Sequence, residues 1–151
     1  SVASPHLRMR KPRILLAEEH KLVLAGLRAL LEPHYDLVAT TNDGLSAVRE
    51  ARRLHPDLIL MDVALPGISG LETGQRLRQQ QPQVKFLYLS VYGDKEYVEE
   101  ALRIGASGYV LKGSDLGELF RAMEFVLAGK PDVSPQLSSL SQGPRISFCS
   151  C

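Results

Sequence analysis

The run LILMD, Leu58 to Asp62, is apolar until it closes on a carboxylate, and Pro66-Gly67 then breaks the chain. A buried, ionised carboxylate costs on the order of several kcal/mol unless cations or hydrogen-bond donors compensate it, so Asp62 needs partners. Other apolar runs close in residues that could supply them. RILLA runs into Glu18, Glu19 and His20, VKFLYLS closes on Ser90, and SGYVL is followed by Lys112. Acids from separate segments can share a divalent cation, and Mg²⁺ favours a few carboxylates with positions left for water and phosphate oxygens. A carboxylate screened in this way can attack phosphorus and form an acyl phosphate, with Lys112 and the cation balancing charge on the transferring group. His20 is left outside this set and read as a helix-start residue, because sequence neighbours rarely share a face.

For these residues to meet, the elements that carry them must share an edge. Short apolar runs alternate with longer amphipathic ones, the pattern of strands and helices over a parallel sheet. Strands are expected at Arg13–Ala17, Tyr35–Thr40, Asp57–Asp62, Val84–Ser90 and Ser107–Leu111. Helices are expected at Lys21–Leu31, Leu45–Leu54, Leu71–Gln80, Lys95–Ile104 and Asp115–Ala128. In the second helix Leu45, Val48, Ala51 and Leu54 are read as one apolar face. Asp94 and Ser114 are expected to cap the last two helices, Gly105 to end the fourth, and Gly129 with Pro131 to end the fifth. In such a sheet ligands bind beyond the carboxyl ends of the strands, where the acids, the hydroxyl and the amine would converge.

The chain has 151 residues, 23% of them charged, and a formal net charge of +1. That length fits one domain with tails, and the balance gives no global field toward nucleic acid or anionic membrane. The residues divide into a loose basic arm at 1–12, a folded domain at 13–130, and a Ser/Pro/Gly-rich linker or tail at 131–151 that is too short for a DNA-binding module. Arg8, Arg10, Lys11 and Arg13 lack the aromatic interleaving of a nucleic-acid site and are read as solvated. Cys149 and Cys151 come too late to staple a fold, and no apolar run reaches the ~20 residues of a membrane span. A cytoplasmic protein is expected.

Taken in order, Glu18-Glu19, Asp62 followed by Pro66-Gly67 and Gly70, Ser90, and GASGYVLKG around Lys112 resemble the receiver domain of two-component response regulators. GLRALLE, GLE and EEALRIGASGYVLKG resemble most closely receivers of the LuxR/NarL subfamily, and the likeness runs from about Arg13 to about Gly129. It implies an α/β fold of the flavodoxin-like (CheY-like) type, (βα)5, a five-stranded parallel sheet with helices on both faces. It implies that Asp62 accepts phosphoryl from a sensor histidine kinase, in a signalling protein rather than an enzyme. Glu18, Glu19, Asp62 and the backbone carbonyl of Ala64 would hold Mg²⁺. Ser90 and Lys112 would engage the phosphoryl group, and Tyr109 would be the aromatic switch that moves inward with Ser90. The implied output is transcription, with homodimerisation as a further contact and DNA reached only through a C-terminal domain that this chain lacks.

Three positions depart from the family pattern. Glu19 stands where Asp is usual, one methylene longer, which predicts weakened or altered Mg²⁺ binding. Val91 is β-branched where a small residue is usual, predicting narrowed access to Asp62. Gly113 follows Lys112 where many receivers have proline, predicting a looser entry to the last helix. These departures leave open an alternative, a degenerate receiver that acts as a protein-interaction module without phosphorylation. A phosphohydrolase is disfavoured, because Ala64 stands where such enzymes place a second carboxylate.

Overall fold

The computed structural model describes residues 10–129 and 145–147, and the alternating pattern resolves there into one doubly covered parallel sheet. Its strands are β1 (Arg13–Ala17), β2 (Asp36–Thr41), β3 (Leu58–Asp62), β4 (Phe86–Ser90), β5 (Gly108–Leu111) and β6 (Arg145–Ser147), in the order β2-β1-β3-β4-β5-β6. The helices are α1 (Lys21–Leu31), α2 (Gly44–Leu54), α3 (Gly70–Gln80), α4 (Lys95–Ile104) and α5 (Leu116–Ala128). All of the expected elements form, with ends within about two residues of the expected ones. Beyond them β6 pairs in parallel with β5, in a stretch expected to be tail. A three-residue strand is too short for its side-chain alternation to be read from sequence. Cys149, Cys151 and Arg8 lie outside the described residues.

Side-chain alternation along the strands builds two cores. Leu15, Ala17, Ile59, Met61, Phe86, Tyr88 and Tyr109 pack under α2, α3 and α4. Ile14, Leu16, Leu58, Leu60, Leu87, Leu89 and Val110 pack against α1 and α5. Every residue of β3 is buried, as its apolar run requires of a central parallel strand.

The apolar face of α2 is Gly44, Ala47, Val48 and Ala51, while Leu45 is 53% exposed. The three-residue steps from Leu45 to Leu54 each fall short of the ~3.6-residue turn, so the two leucines drift to opposite sides of the helix. The cap of α5 is Asp115, which accepts from the Glu118 amide, and not Ser114. Asp94 holds the N-cap position of α4 without a side-chain bond. Gly105 and Gly129 end α4 and α5 in the left-handed conformation, as expected. Arg13 begins β1 and donates to the carbonyls of Leu54 and His55 at the end of α2, so it is a structural residue and no part of a loose arm. No helix among the described residues is long and apolar enough to cross a membrane.

Candidate functional site

Strand order reverses at β1: the chain steps out to β2 on one side and returns to β3 on the other, which opens a crevice at the carboxyl ends of β1 and β3. Ala17 lies opposite Met61, so Glu18 and Asp62 leave the two strands side by side. Both are buried, at 1% and 4% exposure. Lys112 follows β5, two strands away; its amide donates to the Ser90 carbonyl at 2.7 Å, and its side chain reaches across β4. The ammonium donates to Asp62 Oδ2 at 2.7 Å and lies 3.0 Å from Glu18 Oε1.

One cation thus sits between two buried acids. Burial acts to lower the pKa of Lys112, but hydrogen bonds and charge from Asp62 and Glu18 outweigh it and raise the pKa above the ordinary lysine value. Burial likewise pushes Glu18 upward, and is outweighed by Lys112 and by hydrogen bonds from the amide and ring of His20, so its carboxyl titrates below the usual range. The other Asp62 oxygen, Oδ1, accepts from the Ala64 amide at 2.8 Å.

That last contact depends on how tightly the β3–α3 loop folds back. Gly67 takes a positive φ of 78°. At Gly70 a Cβ would lie 2.2 Å from the Asp62 carbonyl oxygen, a close backbone approach that only glycine permits. The Gly70 amide donates to the Val63 carbonyl at 2.7 Å, and Ser69 caps α3 by accepting from the Glu72 amide.

Ser90 and Tyr109 share the face of the sheet under α4, and both are fully buried. Between them stands Tyr92. Its amide donates to Ser90 Oγ at 2.8 Å, its carbonyl accepts from the Tyr109 hydroxyl, and its ring stacks on Tyr97 of α4 at 5.0 Å. Tyr109 therefore points inward, and burial pushes the pKa of its hydroxyl up.

Of the residues singled out from sequence, the structure brings together Asp62, Glu18 and Lys112, with Ser90 and Tyr109 on the adjoining face. Glu19 is exposed and lies outside the cluster of donor atoms, which is made instead by Glu18, His20 and Asp62, each offering one atom within 4.8 Å of the others. His20 does stand at the start of α1, as expected, but Glu18 and His20 flank a non-helical turn, where residues two apart can meet; Nδ1 lies 3.0 Å from Glu18 Oε2. Tyr92 escapes sequence reasoning because it acts through backbone atoms, which side-chain type does not encode. Val91 is 68% exposed on the rim. For a cation the donors are suitable: two buried carboxylates face one crevice, with the Lys112 ammonium now bridging them.

The chain matches the family described as the response regulator receiver domain over residues 14–124. It is 37% identical over 130 residues to the transcriptional regulatory protein DegU of Brevibacillus brevis, covering 85% of this chain and 55% of that protein. It is 34% identical over 128 residues to the response regulator GacA of Pseudomonas viridiflava, covering 83% and 60%. The chain therefore spans little more than half the length of these curated relatives. Among solved structures, a LuxR-family two-component response regulator from Aurantimonas sp. SI85-9A1 superposes with a TM-score of 0.79 at 36% identity, covering 86% of this chain and 94% of that one. The receiver domain of the NarL response regulator of Mycobacterium tuberculosis gives 0.74 at 28% identity, covering 80% and 99%.

Proposed function

Since the chain belongs to the response regulator receiver family, we propose that Asp62 is its phosphoacceptor and that a sensor histidine kinase is its donor. The carrying observation is the contact of Asp62 with Lys112 at 2.7 Å in a crevice shared with Glu18. A carboxylate oxygen of Asp62 attacks the phosphorus, the bond to the donor's leaving group breaks, and an acyl phosphate forms. The Lys112 ammonium, already between the acids, can follow the charge from the carboxylate onto the phosphoryl oxygens, which keeps the cation where charge develops. Mg²⁺ bound by the carboxylates of Glu18 and Asp62 would neutralise the transferring group; Glu19 and the Ala64 carbonyl complete the proposed metal set.

Once the phosphoryl group is in place, Ser90 Oγ turns toward it and leaves the Tyr92 amide. The two contacts of Tyr92 with Ser90 and Tyr109 then change together, and the Tyr92–Tyr97 stack carries the change to α4. We assign residues 13–130 to the receiver, and control of transcription to the whole protein, by analogy with the relatives' descriptions. The cytoplasm is the compartment this role implies. The degenerate reading gains no support from the family match over residues 14–124.

The test is incubation with Mg²⁺ and a small acyl-phosphate donor, followed by intact-mass measurement. A gain of one phosphoryl group that disappears in Asp62→Ala is expected. No gain with any divalent ion would overturn the assignment.

A further inference from the structure

Resting on the reading of Asp62 as the phosphoacceptor, we infer that Tyr88 is a positioning residue for it: the Tyr88 hydroxyl pins the first turn of α3 and so holds the loop that orients the attacking carboxylate. Tyr88 lies on β4 opposite Met61 of β3 and is fully buried, and its hydroxyl donates to the Gly70 carbonyl at 2.6 Å. Gly70 begins α3, and its amide donates in turn to the Val63 carbonyl at 2.7 Å. Next to Val63, the Ala64 amide donates to Asp62 Oδ1 at 2.8 Å. One side chain from the neighbouring strand thus grips the loop beside the acid at the residue where loop and helix meet.

The hydroxyl has a place made for it. At Gly74, one turn along α3 from Gly70, a Cβ would lie 2.2 Å from the Tyr88 oxygen, so the missing side chain leaves the space that the phenol enters. The ring is held on both sides, with Phe86 edge-on at 5.6 Å and Tyr109 tilted at 6.3 Å between centroids, and both of these aromatics are themselves fully buried. It cannot swing away without displacing close-packed neighbours. Burial also pushes the phenol far above its ordinary range, so the hydroxyl keeps its proton and stays a donor. An oxygen on so stiff a mount fixes the carbonyl it bonds, and small misplacements of an attacking group are costly in rate.

The experiment compares the full chain with Tyr88→Phe, with Gly74→Ala/Tyr88→Phe, and with Tyr35→Phe, which loses a hydroxyl bond at the opposite end of the sheet. Urea midpoints, amide hydrogen exchange at Ala64, and phosphorylation by a small acyl-phosphate donor with Mg²⁺ are measured on each. Tyr88→Phe is expected to exchange the Ala64 amide at least about threefold faster and to take phosphoryl at least about threefold more slowly. In the double variant the added methyl fills the space the oxygen leaves, so the midpoint is expected to recover while both defects remain. Tyr35→Phe is expected to lower the midpoint and change neither. Wild-type exchange and rate in Tyr88→Phe, or recovery of both with the midpoint in the double variant, would reduce Tyr88 to a packing residue and overturn the inference. If the wild-type chain takes no phosphoryl, the phosphoacceptor reading falls, and exchange at Ala64 alone decides whether Tyr88 positions the loop.

Discussion

Ser90 Oγ accepts a hydrogen bond from the amide of Tyr92 at 2.8 Å, and the Tyr92 carbonyl accepts one from Tyr109. One residue thus reads the state of the strand-end hydroxyl and passes it to the buried aromatic. Ser90→Ala removes the only part of this chain of contacts that can turn toward a phosphoryl group. Phosphorylation of Asp62 should persist in that variant, while the amide NMR shifts it causes at Tyr92 and Tyr97 in wild type should shrink by more than half. Equal shifts in both proteins would mean that the signal travels by another route.

The position of Lys112 between two buried acids predicts a stability effect. Lys112→Met leaves Glu18 and Asp62 facing each other without a cation, a loss of about 3 kcal/mol for a broken buried pair. Urea unfolding is expected to show it. Because a bound divalent ion stabilises the folded state and can supply the missing positive charge, millimolar Mg²⁺ should recover more stability in the variant than in wild type.

Stability should also depend on pH at both ends. The Glu18 carboxyl is held below its ordinary 4.5, so its contribution is complete above 4.5 and is lost as pH falls through the lower folded value. Lys112 is held above its ordinary 10.5, so its contribution is complete below 10.5 and is lost as pH rises through the higher folded value. Between these limits the pair adds no slope. Glu18→Gln is expected to flatten the acid limb of a thermal-midpoint profile and leave the region near pH 7–9 level; an unchanged acid limb would show that other carboxylates dominate it.

The order of strands and helices was legible because each strand is a short apolar run with turn residues at its ends. The convergence of Asp62, Glu18 and Lys112 followed from the rule that α/β sheets bind ligands at the carboxyl edge. What escaped has specific physical causes. Counting in threes puts Leu45 on the buried face of α2, while the helix turns by more than three residues. Ser114 and Asp115 are both good caps, and only the backbone path selects Asp115. Glu19 enters the metal set through the family resemblance; its side chain is exposed beside the buried Glu18, and what the sequence leaves unread is the turn that sets His20 against that carboxylate. Tyr92 acts through its amide and carbonyl, which every residue but proline carries.

Tyr35 offers a check on the opposite end of the sheet. Its hydroxyl donates to Glu124 of α5 at 2.7 Å, and burial together with that acid pushes the phenol pKa well above its ordinary range. Tyr35→Phe keeps the packing against Phe120 and removes one charge-assisted hydrogen bond whose acceptor can return to water. A loss of about 1 kcal/mol is expected, with phosphorylation of Asp62 unchanged.

Gly70 ties the fold to the chemistry. A methyl group there would meet the backbone oxygens of Asp62 and Val63 at 2.2 and 2.6 Å, and neither can rotate away. Gly70→Ala must therefore push the start of α3 outward, stretching the Gly70 amide bond to Val63 and the Tyr88 hydroxyl bond to the Gly70 carbonyl. The loop between them carries Ala64, whose amide positions Asp62 Oδ1, so the nucleophile loses a donor along with the packing. A loss of about 2–3 kcal/mol in urea is expected from the overpacking, together with at least about tenfold slower phosphorylation by a small donor. Gly113→Ala, where an added methyl meets open space, should stay within about 0.5 kcal/mol. Equal behaviour of the two variants would separate the loop's closeness from the placement of Asp62.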